Sequence, residues 1–183
     1  MIPAHSASMV LPPFVGPTPT DRALMSPFPA SFSEYVCAFG HSEPRVSILR
    51  GLHTYRSELR AQGFIGFQWL DGSFSEQVEM SRGRPPGDID VVTFCYRPAH
   101  LVDNGAFHAW VAANQQLILP RALKKRLKCE AFFVDMHKPP HILVDDVRYW
   151  YGLFSHQRDI SLWKGMVQVS LESDDDAAVV LLG

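Results

Sequence analysis

The sequence predicts an α/β (α+β) fold, one mixed sheet with flanking helices, and three observations lead there. Apolar runs at 65–70, 89–96 and 130–137 are short, rich in β-branched and aromatic residues, and bounded by Gly, Pro or charge. Before and between them, apolar residues recur three or four apart, as on the buried stripe of a helix. The two kinds of segment are interleaved along 183 residues, a length that suits one domain with a real core.

Residues 1–30 are set apart by Pro12, Pro13, Pro17, Pro19, Pro27 and Pro29, which remove amide donors and favour extended chain. This segment reads either as a loose arm or as a strap held on the core by Leu11, Phe14, Met25 and Phe28. Residues 31–183 read as a single domain. Ser31 and Glu34 form a capping box at the start of a helix. Its inward face is Phe32, Tyr35, Val36 and Phe39, and Gly40 closes it. A second helix starts near Ser42, carries Pro44 in its first turn and ends at Gly63. Ile48, Leu52, Tyr55 and Leu59 make its apolar stripe, while Arg45, Arg50, Arg56 and Arg60 are expected on solvated faces.

The first strand, 65–70, runs into Asp71, which reads as a turn residue, and Ser73 opens a short helix reaching Glu79. The second strand, 89–96, is stopped by Pro98. Asp103 caps a helix carrying Phe107, Trp110 and Val111. Residues 120–128 form a short amphipathic helix with Leu123 and Leu127 inward. Arg121, Lys124, Lys125 and Lys128 share one face of it, either solvated or in contact with phosphate, and Arg126 adds a fifth charge. The third strand is 130–137. A helix over 142–153 has Val147, Trp150, Tyr151 and Phe154 along its apolar side. Residues 166–171 alternate as an edge strand, 172–176 form an acidic turn, and 177–182 an apolar tail that packs on the core or on another subunit.

Composition narrows the class. Hydrophobic residues make up 46% and charged residues 20%, as in soluble globular proteins. The net charge of −2 argues against broad, non-specific nucleic-acid binding. Cys37, Cys95 and Cys129 are widely spaced, without a CxxC pair, and read as reduced thiols. No run reaches membrane-spanning length and no leader pattern is visible, so a cytoplasmic location without a membrane partner is expected.

The chemistry concentrates in Trp69-Leu-Asp-Gly-Ser-Phe74 and the following Asp88-Ile-Asp90. Strand side chains alternate, so Asp88 and Asp90 point to one face. Two such carboxylates repel unless a cation stands between them, and hard oxygen donors suit Mg²⁺. A Gly72-Ser73 turn lets backbone amides come close to a phosphate. Asp135 is a lone carboxylate in a Phe-Phe-Val strand, costly unless paired, hydrogen-bonded or metal-bound. It could also simply end the strand and cap the next turn.

An apolar strand, Gly-Ser, a spacer and Asp-x-Asp together resemble the signature of the DNA polymerase β-like nucleotidyltransferase superfamily. The spacer here, 74–87, is at the long end for that family. The resemblance implies a minimal nucleotidyltransferase fold, with Gly72 and Ser73 on a triphosphate and Asp88 and Asp90 on two Mg²⁺ ions. It also implies a third carboxylate on a neighbouring strand, for which Asp135 is the candidate. More narrowly, Leu11-Pro-Pro13, Met25-Ser-Pro-Phe28, the Trp69 to Phe74 stretch and Lys164-Gly165 resemble a group of short bacterial nucleotidyltransferase-like proteins. The implied activity is nucleotide transfer from a nucleoside triphosphate to an RNA or protein acceptor. Arg82, Arg84, Lys138 and Lys164 are candidate cationic helpers. The competing expectation is a non-catalytic member of the fold, an antitoxin-like partner in a toxin–antitoxin or phage-defence module. A homo-oligomer or a partner protein fits either.

Overall fold

The computed structural model describes residues 1–183 except Asp159 and Asp174; the latter belongs to the acidic turn expected from the sequence. Five strands form one mixed sheet: β1 (Phe28–Ala30), β2 (Ile65–Asp71), β3 (Ile89–Tyr96), β4 (Cys129–Asp135) and β5 (Val167–Ser170). Their order is β1-β5-β2-β3-β4. Strand β2 runs antiparallel to both β3 and β5, whereas β1 is parallel to β5 and β3 parallel to β4. The α/β fold read from the sequence is therefore the fold observed.

Alternation along β3 divides the core. Ile89, Val91 and Cys95 pack on the side of α1 (Phe32–Phe39) and α2 (Glu43–Ala61), against Phe32, Tyr35, Leu49, Leu52 and Leu59. Val92 and Phe94 face the other side, where Trp69, Val134 and Met166 meet Phe154 of α7 (Pro140–Phe154). The remaining helices are α3 (Val78–Arg82), α4 (Asn104–Ala113), α5 (Gln115–Ile118), α6 (Pro120–Leu127) and α8 (Asp176–Leu182). Local chemistry sets several ends. The Ser31–Glu34 capping box forms in full, the Asp103 side chain accepts from the Ala106 amide, and α2 carries a proline in its first turn.

Three expectations change. Arg45 and Arg56 are not solvated: both are 0% exposed. The Arg45 guanidinium forks onto Glu79 and donates to the carbonyls of Phe74 and Glu76. Arg56 does the same with Asp175, Gln68 and the Ser170 carbonyl. Five donors in a rigid plane allow such burial when each finds an acceptor. Strand β5 is internal, because the short β1 extends the sheet beyond it. The Gly-Ser segment is a 3-10 turn, Gly72–Ser75, and α3 begins only at Val78. The apolar tail packs on the core, the first of its two expected placements, as helix α8 with Ala178 and Leu182 buried.

The first residues lie against the domain. Val10 and Leu11 are buried. The Gln77 amide donates to the Met9 carbonyl at 2.9 Å and the Gly165 amide to the Leu11 carbonyl at 2.8 Å. Cys37, Cys95 and Cys129 are free thiols. Among the described residues, no helix is long and apolar enough to cross a membrane.

Candidate active site

Strand register builds the site. Asp71 on β2 is opposite Asp90 on β3, and Asp90 is opposite Glu130 on β4. Lateral partners share a face, so these three carboxylates form a row across the sheet, with Asp88 two residues behind Asp90 on that face. The row opens on a cleft of about 450 Å³, which Gly72, Ser73, Arg82, Arg84, Lys124 and Lys164 also line. Gly72 has φ +80°, and a Cβ there would lie 2.2 Å from Asp90 Oδ2. Only glycine fits so close beneath a carboxylate in that conformation.

Two lysines hold the cleft together. Lys164, 4% exposed, pairs with Asp71 at 3.0 Å and Glu76 at 3.1 Å. Its ammonium also reaches the Gly72 carbonyl at 3.5 Å, so it fastens the turn. Lys124 reaches from α6 and pairs with both Asp88 and Glu130 at 2.5 Å. Burial raises the Asp90 pKa to about 6, and the negative charges of Asp88 and Glu130 push the same way. Burial also raises that of Asp71, against the pull of Lys164. Burial works against the charge on Lys164, yet Asp71 and Glu76 hold its pKa above the usual lysine range. Asp71 Oδ1 is buried with no hydrogen-bond partner among the described residues.

The structure does not bring Asp135 to this cleft. It follows Glu130 by five residues, an odd step, so it faces the opposite side of the sheet and lies roughly 16 Å farther along β4. It is opposite Cys95, at the other end of β3. There it pairs with Arg97, whose guanidinium lies 4.1 Å over the Phe107 ring, and its Oδ1 accepts from the His137 amide. Burial pushes the Asp135 carboxyl up, but Arg97 and that amide more than offset it, and its pKa falls below the ordinary value. The cost that motivated a metal role is met by an arginine. Glu130, missed in the sequence, is the carboxylate that β4 presents beside Asp90. The available signal was a charge at the second residue of an apolar strand, in step with Asp90 once β3 and β4 are laid parallel.

The other expected cations separate. Lys138 pairs with Asp146 and does not line the cleft. Of the basic face on α6, Lys124 turns into the cleft and Lys128 donates to Ser47. Arg126 pairs with Glu58, leaving Arg121 and Lys125 as exposed charges of that face.

Among the described residues, no three His, Cys, Asp or Glu side chains are gathered as a ready-made metal-ligand set. Lys124 stands between two of the candidates. The donors themselves fit Mg²⁺: they are all carboxylate oxygens, and beside them lies the orphaned Asp71 Oδ1.

No curated protein and no solved structure matches the chain. One family model does, over residues 3–170, taking in the N-terminal strap, all five strands and every cleft residue named above. By that match, the chain belongs to the family of unknown function DUF6932.

Proposed function

We propose that this protein is a Mg²⁺-dependent nucleotidyltransferase, moving a nucleotide from a nucleoside triphosphate to an RNA or protein acceptor. The observation that carries this reading is the Asp71–Asp90–Glu130 row beside the Gly72-Ser73 turn. The order of parts supports it: a strand, a Gly-Ser turn, an antiparallel Asp-x-Asp strand, then a parallel strand with a further carboxylate. This is the order expected from the resemblance to polymerase β-like enzymes, with Glu130 in the role first given to Asp135.

Asp88, Asp90 and Glu130 would hold Mg²⁺, which when bound lowers the pKa of an attacking hydroxyl and offsets charge on departing pyrophosphate. The rest falls to the chain's own residues. Gly72, without a side chain, lets the amide and hydroxyl of Ser73 come close to phosphate oxygens. Lys164 keeps the turn in that shape by holding Asp71, Glu76 and the Gly72 carbonyl at once. Arg82 and Arg84 add positive charge to the cleft, which favours a polyanion. Glu130, with its side chain 36% exposed against 21% for Asp88, is the more open carboxylate and would face the acceptor.

The test is incubation with each labelled nucleoside triphosphate, Mg²⁺, and total RNA or lysate protein. Wild type should label an acceptor and the Asp88→Ala/Asp90→Ala variant should not. No label with any triphosphate, or equal labelling by the variant, would end this reading.

A further inference from the structure

We propose that, with Asp88, Asp90 and Glu130 read as cation ligands as above, Lys124 is the cleft's built-in counter-ion. Its ammonium stands where a divalent cation would neutralise the carboxylates. It must be displaced first, so cation and triphosphate enter together rather than separately.

Backbone packing puts Lys124 there. Leu123 is fully buried and anchors its turn of α6. The helix end presses on α2 at Gly51, where a Cβ would lie 1.9 Å from the Leu127 carbonyl oxygen. Lys128 then turns the chain with φ +56°, and β4 starts at once with Cys129 and Glu130. Lys124 and Glu130 are thus six residues apart on a rigid corner, and the ammonium spans from Glu130 to Asp88 across the strand gap. Its side chain is 50% exposed, so it can leave for solvent without disturbing the core.

Charge decides the order of events. One ammonium faces three carboxylates, Asp88, Asp90 and Glu130, and makes ion pairs with two of them. A divalent cation arriving alone must break both pairs and leaves Lys124 without a partner. A cation arriving with a triphosphate supplies phosphate oxygens that take up the displaced ammonium. Such an arrangement makes the binding of cation and polyphosphate mutually reinforcing.

The experiment measures Mn²⁺ binding by electron paramagnetic resonance, with and without inorganic tripolyphosphate, which carries the charge common to every nucleoside triphosphate. Proteins compared are wild type, Lys124→Met, Lys124→Arg and Lys125→Met, the last removing an exposed charge one residue away. Lys124→Met should bind Mn²⁺ alone about tenfold more tightly than wild type. Tripolyphosphate should tighten Mn²⁺ binding by wild type, Lys124→Arg and Lys125→Met, and barely change it for Lys124→Met. The metal-free melting midpoint of Lys124→Met should fall and recover on adding Mn²⁺. Should that variant not fold, Lys124→Gln replaces it in the same comparison.

Equal or weaker Mn²⁺ binding after loss of the ammonium, or an unchanged tripolyphosphate effect, overturns the proposal. The labelling assay above, run on the same proteins, separates the two ideas. Tighter Mn²⁺ binding by Lys124→Met with no labelled acceptor from wild type sinks the transferase reading alone. Labelled acceptor from wild type with Mn²⁺ affinity indifferent to Lys124 sinks the counter-ion alone.

Discussion

Glu130 and Asp135 lie on one strand and differ in everything that matters. The first joins the row of cleft carboxylates; the second neutralises Arg97 on the far side of the sheet. Glu130→Gln should keep the fold and melting midpoint close to wild type but weaken Mn²⁺ binding at least tenfold by titration. Asp135→Ala should do the reverse. It strips a nearly buried guanidinium of its partner, at a cost of about 3 kcal/mol in chemical denaturation, and leaves Mn²⁺ binding unchanged. At this scale the sequence shows Asp88 and Asp90, because alternation within one strand is local information. It cannot rank Glu130 against Asp135, because that choice depends on which residue of β4 is opposite Asp90. Asp71 reads as a turn residue for the same reason: the buried ammonium that pairs with it, Lys164, lies far along the chain.

Helix α2 shows what a periodic pattern does and does not convey. Its apolar stripe is legible, and Ile48, Leu52, Tyr55 and Leu59 are buried as expected. The fate of its arginines is not, since their acceptors come from α3, β2, β5 and the stretch before α8. Asp175 binds Arg56 and Arg60 together, and so fastens the start of α8 beneath the sheet. Burial pushes the Asp175 carboxyl up, yet the two guanidinium groups more than offset it and leave its pKa below the usual 3.8. A depressed folded-state pKa means that the unfolded chain takes up the proton first. The stabilisation is therefore whole above the unfolded value, about pH 4, and is lost as pH falls through the folded value. Asp175→Asn should lower stability at pH 7 by about 3 kcal/mol, the cost of a broken buried pair. Below about pH 4 the gap from wild type should narrow. Urea denaturation at several pH values measures both; a gap that widens in acid would contradict the assignment.

Across the whole molecule, the sequence conveys the class of fold and the neighbourhood of β2, β3 and β4. The other side of the sheet is less legible. Strand β1 has three residues, one of them Pro29, too short and too poor in donors to be read as a strand. Without it β5 looks like an edge. The strap that leads into β1 reaches the cleft through Gly165, where a Cβ would lie 2.3 Å from the Pro12 carbonyl oxygen. Gly165→Ala should push the strap away, shift Lys164 beside it and cost about 1–3 kcal/mol. Thermal melting should show the loss, and tripolyphosphate binding should weaken with it. A variant as stable as wild type would mean that the strap gives way without strain.

The pairing of Phe28 with Val167 also has a bearing on synthesis. A chain leaving the ribosome presents the strap and β1 long before β5, and β1 must wait for that strand to emerge. Lys164 and Gly165, which close the Gly72 turn and grip the strap, arrive with that same late segment. A nascent chain cut short before them would display Asp88, Asp90 and Glu130 without the lysine that fastens the turn. Contacts so distant in sequence form slowly, after the local helices. The cleft is thus completed only once the segment 164–170 has been made, and products that stop before it carry its carboxylates but not its closed turn.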